Sequence, residues 1–239
     1  MNTQDKLPVP DRKEWPKKVR RDFSLLEGAE GRFADFRSAV KIGLESLKGF
    51  WAFRRERNCV TVFGSARFKE DHPYYQLARE MGGALARAGY TVMTGGGPGV
   101  MEAANRGARE AGGRSIGCNI VLPKEQAVNR FVDHSIELCY FFIRKVMLVK
   151  YSSAFVLMPG GFGTMDEIFE TATLIQTRKI ADFPIICMGL DYWQHLFPFV
   201  QDTMITAGTI SADDLDVVFL TDSPEDGVAH IQANTPART

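Results

Sequence analysis

Residues 159–167, with the sequence Pro-Gly-Gly-Phe-Gly-Thr-Met-Asp-Glu, have the types and spacing that suit chemistry on an anionic substrate. They follow the apolar run 154–158 and lead into a helical pattern. Glycines allow a sharp turn and a close approach of the backbone to a ligand. A helix that begins there directs unpaired N–H groups and a partial positive charge at an anion. Because Glu167 follows one turn later, the stretch predicts a phosphate cradle beside a carboxylate, which suits a nucleotide or sugar phosphate.

Arg144 and Lys145 are the second candidate feature, since these two cations interrupt an otherwise apolar helical stretch, residues 140–150. A planar arginine side chain can hold a phosphate or a carboxylate through two hydrogen bonds. The alternative is that both side chains simply reach solvent from a surface helix. For Glu167 the structural alternative is a first-turn acid that complements the helix dipole.

Short hydrophobic runs alternate with helical patterns along most of the chain. The predicted strands are residues 59–63, 90–93, 115–122, 153–158, 184–188 and 217–220. The predicted helices are residues 32–57, 73–88, 100–111, 140–150, 164–178 and 193–207. This alternation is typical of βαβ units, so we expect an α/β fold with a doubly wound, mostly parallel sheet flanked by helices.

Three glycine-bearing loops directly follow predicted strands: Gly64-Ser65, residues 95–99 and residues 159–164. Ligands of parallel sheets bind outside the carboxyl ends of the strands, so we expect these loops to converge at one edge of the sheet. The alternative for residues 95–99 is a tight strand-to-helix connection that requires positive φ. In the first two loops, the residues expected to bind substrate are Gly64, Ser65, Gly96 and Gly97.

The 239 residues divide into three predicted parts. Residues 1–31 are polar, contain Pro8, Pro10 and Pro16, and are expected to form a loose arm. Residues 32–57 form a helical extension that we expect to pack on the core or on a partner subunit. The catalytic domain is expected to span residues 58–235.

Composition restricts the class of protein. Lys and Arg together number 29, as do Asp and Glu, so no overall field favours nucleic acid or an anionic membrane. The start has no secretion signal and no apolar run approaches the ~20 residues that cross a bilayer, which predicts a cytoplasmic protein. Four widely spaced cysteines without a CxxC pair indicate buried free thiols rather than disulfides or a metal site: Cys59, Cys118, Cys139 and Cys187.

Several common site motifs are absent from the sequence. The first strand ends in Gly64-Ser65 rather than GxGxxG, which argues against NAD. No glycine loop supplies the lysine of a Walker A motif. Neither HExxH nor GxSxG occurs. We therefore expect no cofactor and no metal.

The element PGGxGTxxE at residues 159–167, with Arg144-Lys145 upstream and Gly-Gly-Gly-Pro-Gly-Val-Met at residues 95–101, resembles the LOG (Lonely Guy) family over about residues 58–222. Members are cytokinin riboside 5′-monophosphate phosphoribohydrolases, often labelled lysine decarboxylases. The resemblance implies a Rossmann-like fold, an obligate homodimer with active sites at the subunit interface, and hydrolysis of the N-glycosidic bond of adenosine-type 5′-monophosphates. It implies that Arg144 and Glu167 are the catalytic pair. It also implies a nucleotide site lined by Lys145, Gly160, Gly161, Phe162, Gly163, Thr164 and Asp166.

The chain departs from the short plant-type pattern in its N-terminal extension and in Phe-Phe-Ile before Arg144. Both features resemble a longer branch with higher oligomers, and they leave open whether cytokinin nucleotides or AMP are preferred. A non-catalytic nucleotide or molybdenum-cofactor carrier is the alternative function. Lysine decarboxylation requires a pyridoxal Schiff-base lysine with supporting groups, and nothing in the sequence marks one.

Overall fold

The structure is a computed structural model that describes residues 25–26, 31–122, 127–180 and 183–235. The predicted polar arm, including Pro8, Pro10 and Pro16, lies outside the described residues except at its last positions. Pro123, expected to close the third strand, lies outside them as well.

A seven-stranded sheet forms the centre of the described protein, and every neighbouring pair of strands is parallel. The strands are β1 (Cys59–Phe63), β2 (Thr91–Thr94), β3 (Ser115–Ile120), β4 (His134–Leu138), β5 (Ser152–Leu157), β6 (Ile185–Cys187) and β7 (Val218–Leu220). Their order across the sheet is β4-β3-β2-β1-β5-β6-β7. The chain therefore builds outward from β1 in one direction and then continues from β5 in the other, which confirms the doubly wound α/β, Rossmann-like fold.

Helices connect the strands. They are α1 (Arg32–Phe53), α2 (Pro73–Arg87), α3 (Val100–Glu110), α4 (Phe141–Tyr151), α5 (Phe162–Gln176), α6 (Leu190–Trp193), α7 (Leu196–Pro198) and α8 (Pro224–Asn234). A π-helix spans Phe199–Ile205 and a 3₁₀ turn spans Ala212–Leu215.

The five inner strands are buried on both faces, because helices cover the sheet from each side. One hydrophobic core lies between the sheet and α1, α4 and α5, and a second lies between the sheet and α2, α3 and α8. Inside the sheet, Thr61 of β1 and Ser152 of β5 share a buried hydrogen bond of 2.6 Å. That bond joins the two strands at the point where the strand order reverses.

Helix α1 is attached to the start of α4. Its Glu45 is buried and accepts hydrogen bonds from the N–H groups of Cys139 and Tyr140, just before α4 begins. Gly49 packs against Met147, where a Cβ would lie 2.8 Å from the sulfur. The first helix therefore supports the helix that carries Arg144.

The opposite side of α1 is apolar and faces solvent, which defines an exposed apolar stripe. Its large side chains are Phe33, Phe36, Val40, Leu44, Leu47, Phe50 and Trp51. Phe141, Phe142 and Val146 of α4 are exposed as well.

The structure differs from the predicted elements in three places. Strand β4 was not predicted; its exposed residues alternate with buried Ile136 and Leu138, and among the described strands it pairs only with β3, at the edge of the sheet. The single helix expected over residues 193–207 is interrupted, because Pro198 has no N–H to donate to the preceding turn. Helix α8, capped by Ser223, was not anticipated.

Candidate functional site

A cavity of about 600 Å³ opens at the carboxyl ends of β1 and β5, where the strand order reverses. Its lining residues are Phe63, Gly64, Ser65, Ala66, Arg67, Phe68, Met101, Arg144, Gly160, Gly161, Phe162, Gly163, Thr164, Glu167 and Tyr192. Such a reversal point is where open α/β sheets bind ligands.

The loop of residues 159–164 is held close to the loop after β1. The N–H of Ser65 donates to the carbonyl of Pro159 at 3.0 Å. Gly160 has no room for a side chain, since a Cβ there would lie 2.1 Å from the Thr164 hydroxyl. This close packing explains the glycine, and the hydrogen bond holds the Gly64-Ser65 loop against residues 159–164.

Helix α5 begins two residues earlier than predicted, with Gly161 as its N-cap. The first hydrogen bond of the helix runs from Thr164 N to the Gly161 carbonyl at 3.0 Å. The N–H groups of Gly161, Phe162 and Gly163 precede that bond, so they are available to an anion in the cavity. The Phe162 side chain is 95% exposed at the same edge.

A buried polar network supports the loop of residues 95–99. Asn129 donates to the carbonyls of Gly96 (3.2 Å) and Gly97 (3.0 Å) and to Asn105 Oδ1 (3.0 Å). Thr94 accepts from Gly96 N and donates to Asn105. Gly96 has a φ of 74°, as the structural interpretation of a tight connection requires.

Arg144 enters the cavity from α4 and is positioned at two points. Its Nε donates to the carbonyl of Cys118, within β3, at 3.0 Å. Its Nη2 lies against Gly95, where a Cβ would approach to 2.4 Å. Arg144 also lines the cavity, so the cavity wall carries a positive charge held in place by these two contacts.

Glu167 is the acid of the cavity. Its side chain is 4% exposed, and its Oε2 has no hydrogen-bond partner among the described residues. Burial raises the pKa of Glu167 from 4.5 to about 7, although the nearby cations Arg144 and Lys145 oppose the shift. A half-ionised carboxyl at neutral pH beside a fixed cation suits proton transfer.

Lys145 points away from the cavity. Its Nζ lies 2.8 Å from Asp166 Oδ2 and 2.6 Å from Glu170 Oε2, so the cation joins α4 to α5. Desolvation lowers the pKa of Lys145, but the two carboxylates raise it by more, so that the pKa lies above its usual value. The lysine is therefore charged and already paired.

The predicted site residues fall into two groups. Those that line the cavity are Gly64, Ser65, Arg144, Gly160, Gly161, Phe162, Gly163, Thr164 and Glu167. Those that lie beside it without lining it are Gly96, Gly97, Lys145 and Asp166. Gly96 and Gly97 belong to the loop against which Arg144 packs. Lys145 and Asp166 form an ion pair that joins α4 to α5.

Six lining residues were not among the predicted site residues: Phe63, Ala66, Arg67, Phe68, Met101 and Tyr192. Arg67 lies two positions after Ser65 in a loop already singled out, so a cation there was a usable signal. Tyr192 follows β6, and nothing in its local sequence distinguishes it.

Three further expectations concern the cysteines, a metal site and a membrane-spanning helix. All four cysteines are buried and free, which confirms the prediction for them. In the described part of the chain no group of three His, Cys, Asp or Glu residues is arranged to share a metal ion. No helix among the same residues combines the length and apolar character needed to cross a bilayer.

Comparison with known proteins places this arrangement in a family. The model described as "Possible lysine decarboxylase" matches residues 101–231, more than half of the chain. The protein named cytokinin riboside 5′-monophosphate phosphoribohydrolase from Rhodococcoides fascians is 32% identical over 152 residues, which cover 61% of this chain and 75% of that protein. The chain belongs to the LOG family.

A second LOG relative, the cytokinin riboside 5′-monophosphate phosphoribohydrolase of Mycobacterium tuberculosis, is 35% identical over 127 residues. The match covers 50% of this chain and 64% of that protein, less than two thirds of its length. Among solved structures, the molybdenum cofactor binding protein of Rippkaea orientalis aligns with a TM-score of 0.54 at 24% identity, covering 75% of this chain and 98% of that one. At that identity the likeness concerns the fold alone.

Proposed function

We propose that this LOG-family chain is an N-glycosidase that hydrolyses adenine-type nucleoside 5′-monophosphates, either cytokinin riboside 5′-monophosphates or AMP, to free base and ribose 5-phosphate. The observation that carries the proposal is the buried, unpaired carboxyl of Glu167 next to the unpaired N–H groups that begin α5. A phosphate on those N–H groups leaves the sugar within reach of the carboxyl one turn further along the helix.

The reaction breaks the C1′–N9 bond through a transition state with oxocarbenium character. Ionised Glu167 stabilises the positive charge that develops on the ribose and accepts a proton from water as the water oxygen bonds to C1′. The bonding electrons leave with the base, which takes up a proton. A carboxyl with a pKa of about 7 is matched to this role near neutral pH.

Arg144 holds the substrate rather than transferring a proton. Its Nε is committed to the Cys118 carbonyl, and the remaining guanidinium N–H groups are the donors on the cavity side. These groups bind the phosphate or the ribose hydroxyls and fix the distance between C1′ and Glu167. The cation also keeps the pKa of Glu167 from rising further.

We also propose that the chain acts as a homodimer or higher homo-oligomer with its active sites at subunit interfaces. The exposed apolar stripe of α1 and exposed Phe141, Phe142 and Val146 of α4 support it, since apolar patches this continuous mark interaction sites. Phe162, which lines the cavity and is largely exposed, adds an exposed aromatic ring at the site itself.

A carrier of nucleotides or of molybdenum cofactor shares the fold. Such a protein has no need of a buried, unpaired carboxyl inside the anion site, because an ionised carboxylate there repels a phosphate. Glu167 therefore favours hydrolysis over carriage.

Purified protein incubated with a panel of nucleoside 5′-monophosphates, including AMP and an N6-prenyl AMP, tests the proposal. Chromatography should detect free base and ribose 5-phosphate in equal amounts. Tight nucleotide binding with no release of base from any member would favour the carrier instead.

Substitution Glu167→Gln tests the assignment of the acid. Since glutamine keeps the shape and loses the charge and the proton acceptor, kcat should fall roughly 10²–10⁴-fold while nucleotide binding persists. The matched control is Glu170→Gln on the same helix, whose carboxylate pairs with Lys145 outside the cavity. Undiminished turnover by Glu167→Gln, or an equal loss in the control, removes Glu167 from the mechanism.

A further inference from the structure

Tyr192 contacts the anion-binding loop from a part of the chain that the sequence motifs do not include. It lies on α6, and its hydroxyl donates a hydrogen bond of 2.6 Å to the carbonyl of Gly160. The side chain also lines the cavity, next to Gly160 and Gly161. At 37% exposed, it makes this bond at the mouth of the cavity.

The bond fixes the orientation of the peptide between Gly160 and Gly161. In a trans peptide the C=O and N–H groups point in opposite directions. With the carbonyl bound to Tyr192, the N–H of Gly161 points the other way, and no described residue accepts a hydrogen bond from it. A reversed peptide would present the carbonyl oxygen, which repels an anion. Glycine on both sides offers little steric resistance to that reversal.

Tyr192 is itself firmly held. Its neighbour Trp193 is fully buried and donates from Nε1 to the Met188 carbonyl at 2.8 Å. The start of α6 is fixed by Asp222, whose carboxylate accepts from the N–H groups of Gly189 and Leu190.

The loop and α6 also meet directly. Gly189 has a φ of 89°, and a Cβ there would lie 2.6 Å from the Pro159 ring. On the other side, the Tyr74 hydroxyl donates to Asp191 at 2.7 Å. The hydroxyl of Tyr192 is therefore presented to Gly160 by a rigid support.

We propose that Tyr192 is a positioning residue that keeps the Gly160–Gly161 peptide in the orientation in which the Gly161 N–H binds the 5′-phosphate of the substrate. The inference rests on the proposed function and adds to it the device that maintains the phosphate subsite. It also explains why two adjacent glycines, of which Gly160 is required for close packing, do not leave the peptide between them free to reverse.

Substitution Tyr192→Phe in the full chain keeps the ring and removes the hydroxyl. KM for AMP should rise about tenfold, with kcat changed by less than about twofold, because the lost interaction serves binding in ground state and transition state alike. The dissociation constant of ribose 5-phosphate, measured by calorimetry without turnover, should rise by a similar factor, whereas that of adenosine should stay unchanged. Tyr151→Phe is the matched control, since Tyr151 also donates to a backbone carbonyl, that of Phe50, on the α1 side.

The outcomes separate the two proposals. If the wild-type protein binds ribose 5-phosphate and Tyr192→Phe weakens that binding selectively, the positioning role stands even where no base is released, and only the proposed reaction fails. Unchanged ribose 5-phosphate binding in Tyr192→Phe, no such binding in the wild type, or equal weakening of adenosine and ribose 5-phosphate overturns the positioning role.

Discussion

The ionised form of Glu167, which the proposed reaction uses, destabilises the folded protein. Its carboxyl is buried without a hydrogen-bond partner among the described residues, and its pKa rises to about 7. Compared with an unfolded chain, the folded protein therefore holds this proton more tightly. The contribution of this proton to the free energy of unfolding is fully present below pH 4.5, and it is lost as the pH rises through 7.

We therefore expect Glu167→Gln to be more stable than the wild type at pH 8. A shift from 4.5 to about 7 corresponds to about 3 kcal/mol at that pH, and the difference should shrink toward pH 4.5. Urea denaturation of both proteins at pH 5 and pH 8 measures it, and other carboxyl groups cancel in the comparison. A stability difference that is the same at both pH values would contradict the assigned burial of the charge.

The sequence was sufficient to find Glu167 and Arg144 as candidates, because glycines and charges in apolar stretches are visible without a structure. Their partners were not predictable to the same degree. Lys145 has the same local pattern as Arg144 but turns to Asp166 and Glu170, a choice set by the way α4 packs beside α5. Tyr192 reaches the site only through the crossover from β6, so its role depends on the tertiary fold.

Helix α1 acts on the site through α4. Glu45 satisfies two N–H groups at the start of α4, the helix that carries Arg144, and Gly49 lets α1 approach Met147. Helix α1 is thus bound to α4 by a buried carboxylate as well as by apolar contact.

Substitution Glu45→Ala should lower the free energy of unfolding by about 1–3 kcal/mol, since it leaves two buried N–H groups without this acceptor. Glu45→Gln keeps an acceptor oxygen and should lose less. Lys48→Ala on the same helix, which removes an exposed bond to the Glu137 carbonyl, should change stability by less than about 0.5 kcal/mol. Chemical denaturation gives all three values. A loss for Glu45→Ala no larger than for Lys48→Ala would refute the role of Glu45 in attaching α1 to α4.

Most buried strands and helices were predicted to within one or two residues, as β1 and α2 illustrate, whereas α1 ends at Phe53 rather than at residue 57. Strand β4 was missed because an edge strand with His134 and Glu137 has neither the continuous apolar run of an inner strand nor a strong turn signal. The broken region after α6 was missed because the helical periodicity continues across Pro198, although the hydrogen bonds do not.

We expect most of the exposed apolar surface to be buried in contacts between subunits. The exposed apolar stripe of α1 and the exposed residues of α4 lie on the same side of the sheet as one of the two cores. A chain with balanced charge has little electrostatic repulsion to keep such surfaces apart.

Substitutions Leu44→Glu and Leu47→Glu place charges in the stripe and should weaken self-association roughly a hundredfold or more, because a carboxylate would have to be buried. Sedimentation velocity over a range of concentrations measures the change. Lys41→Glu, an exposed charged position on the same helix, is the matched control and should leave the mass unchanged. A wild-type protein that stays monomeric at every concentration would rule out the proposed homo-oligomer.

The hydrogen bond between Thr61 and Ser152 has a consequence for how the protein acquires its site. The two residues are 91 positions apart, yet β1 and β5 carry the two loops that meet in the cavity. Contacts of such separation are slow to form, since a long loop must close first. During synthesis β1 gains β2 early, but its other edge stays unpaired until β5 arrives, and an unpaired edge is open to aggregation. The substrate site is therefore a late product of folding, and mutations that delay docking of β5 should reduce the yield of active protein more than the activity of the molecules that succeed.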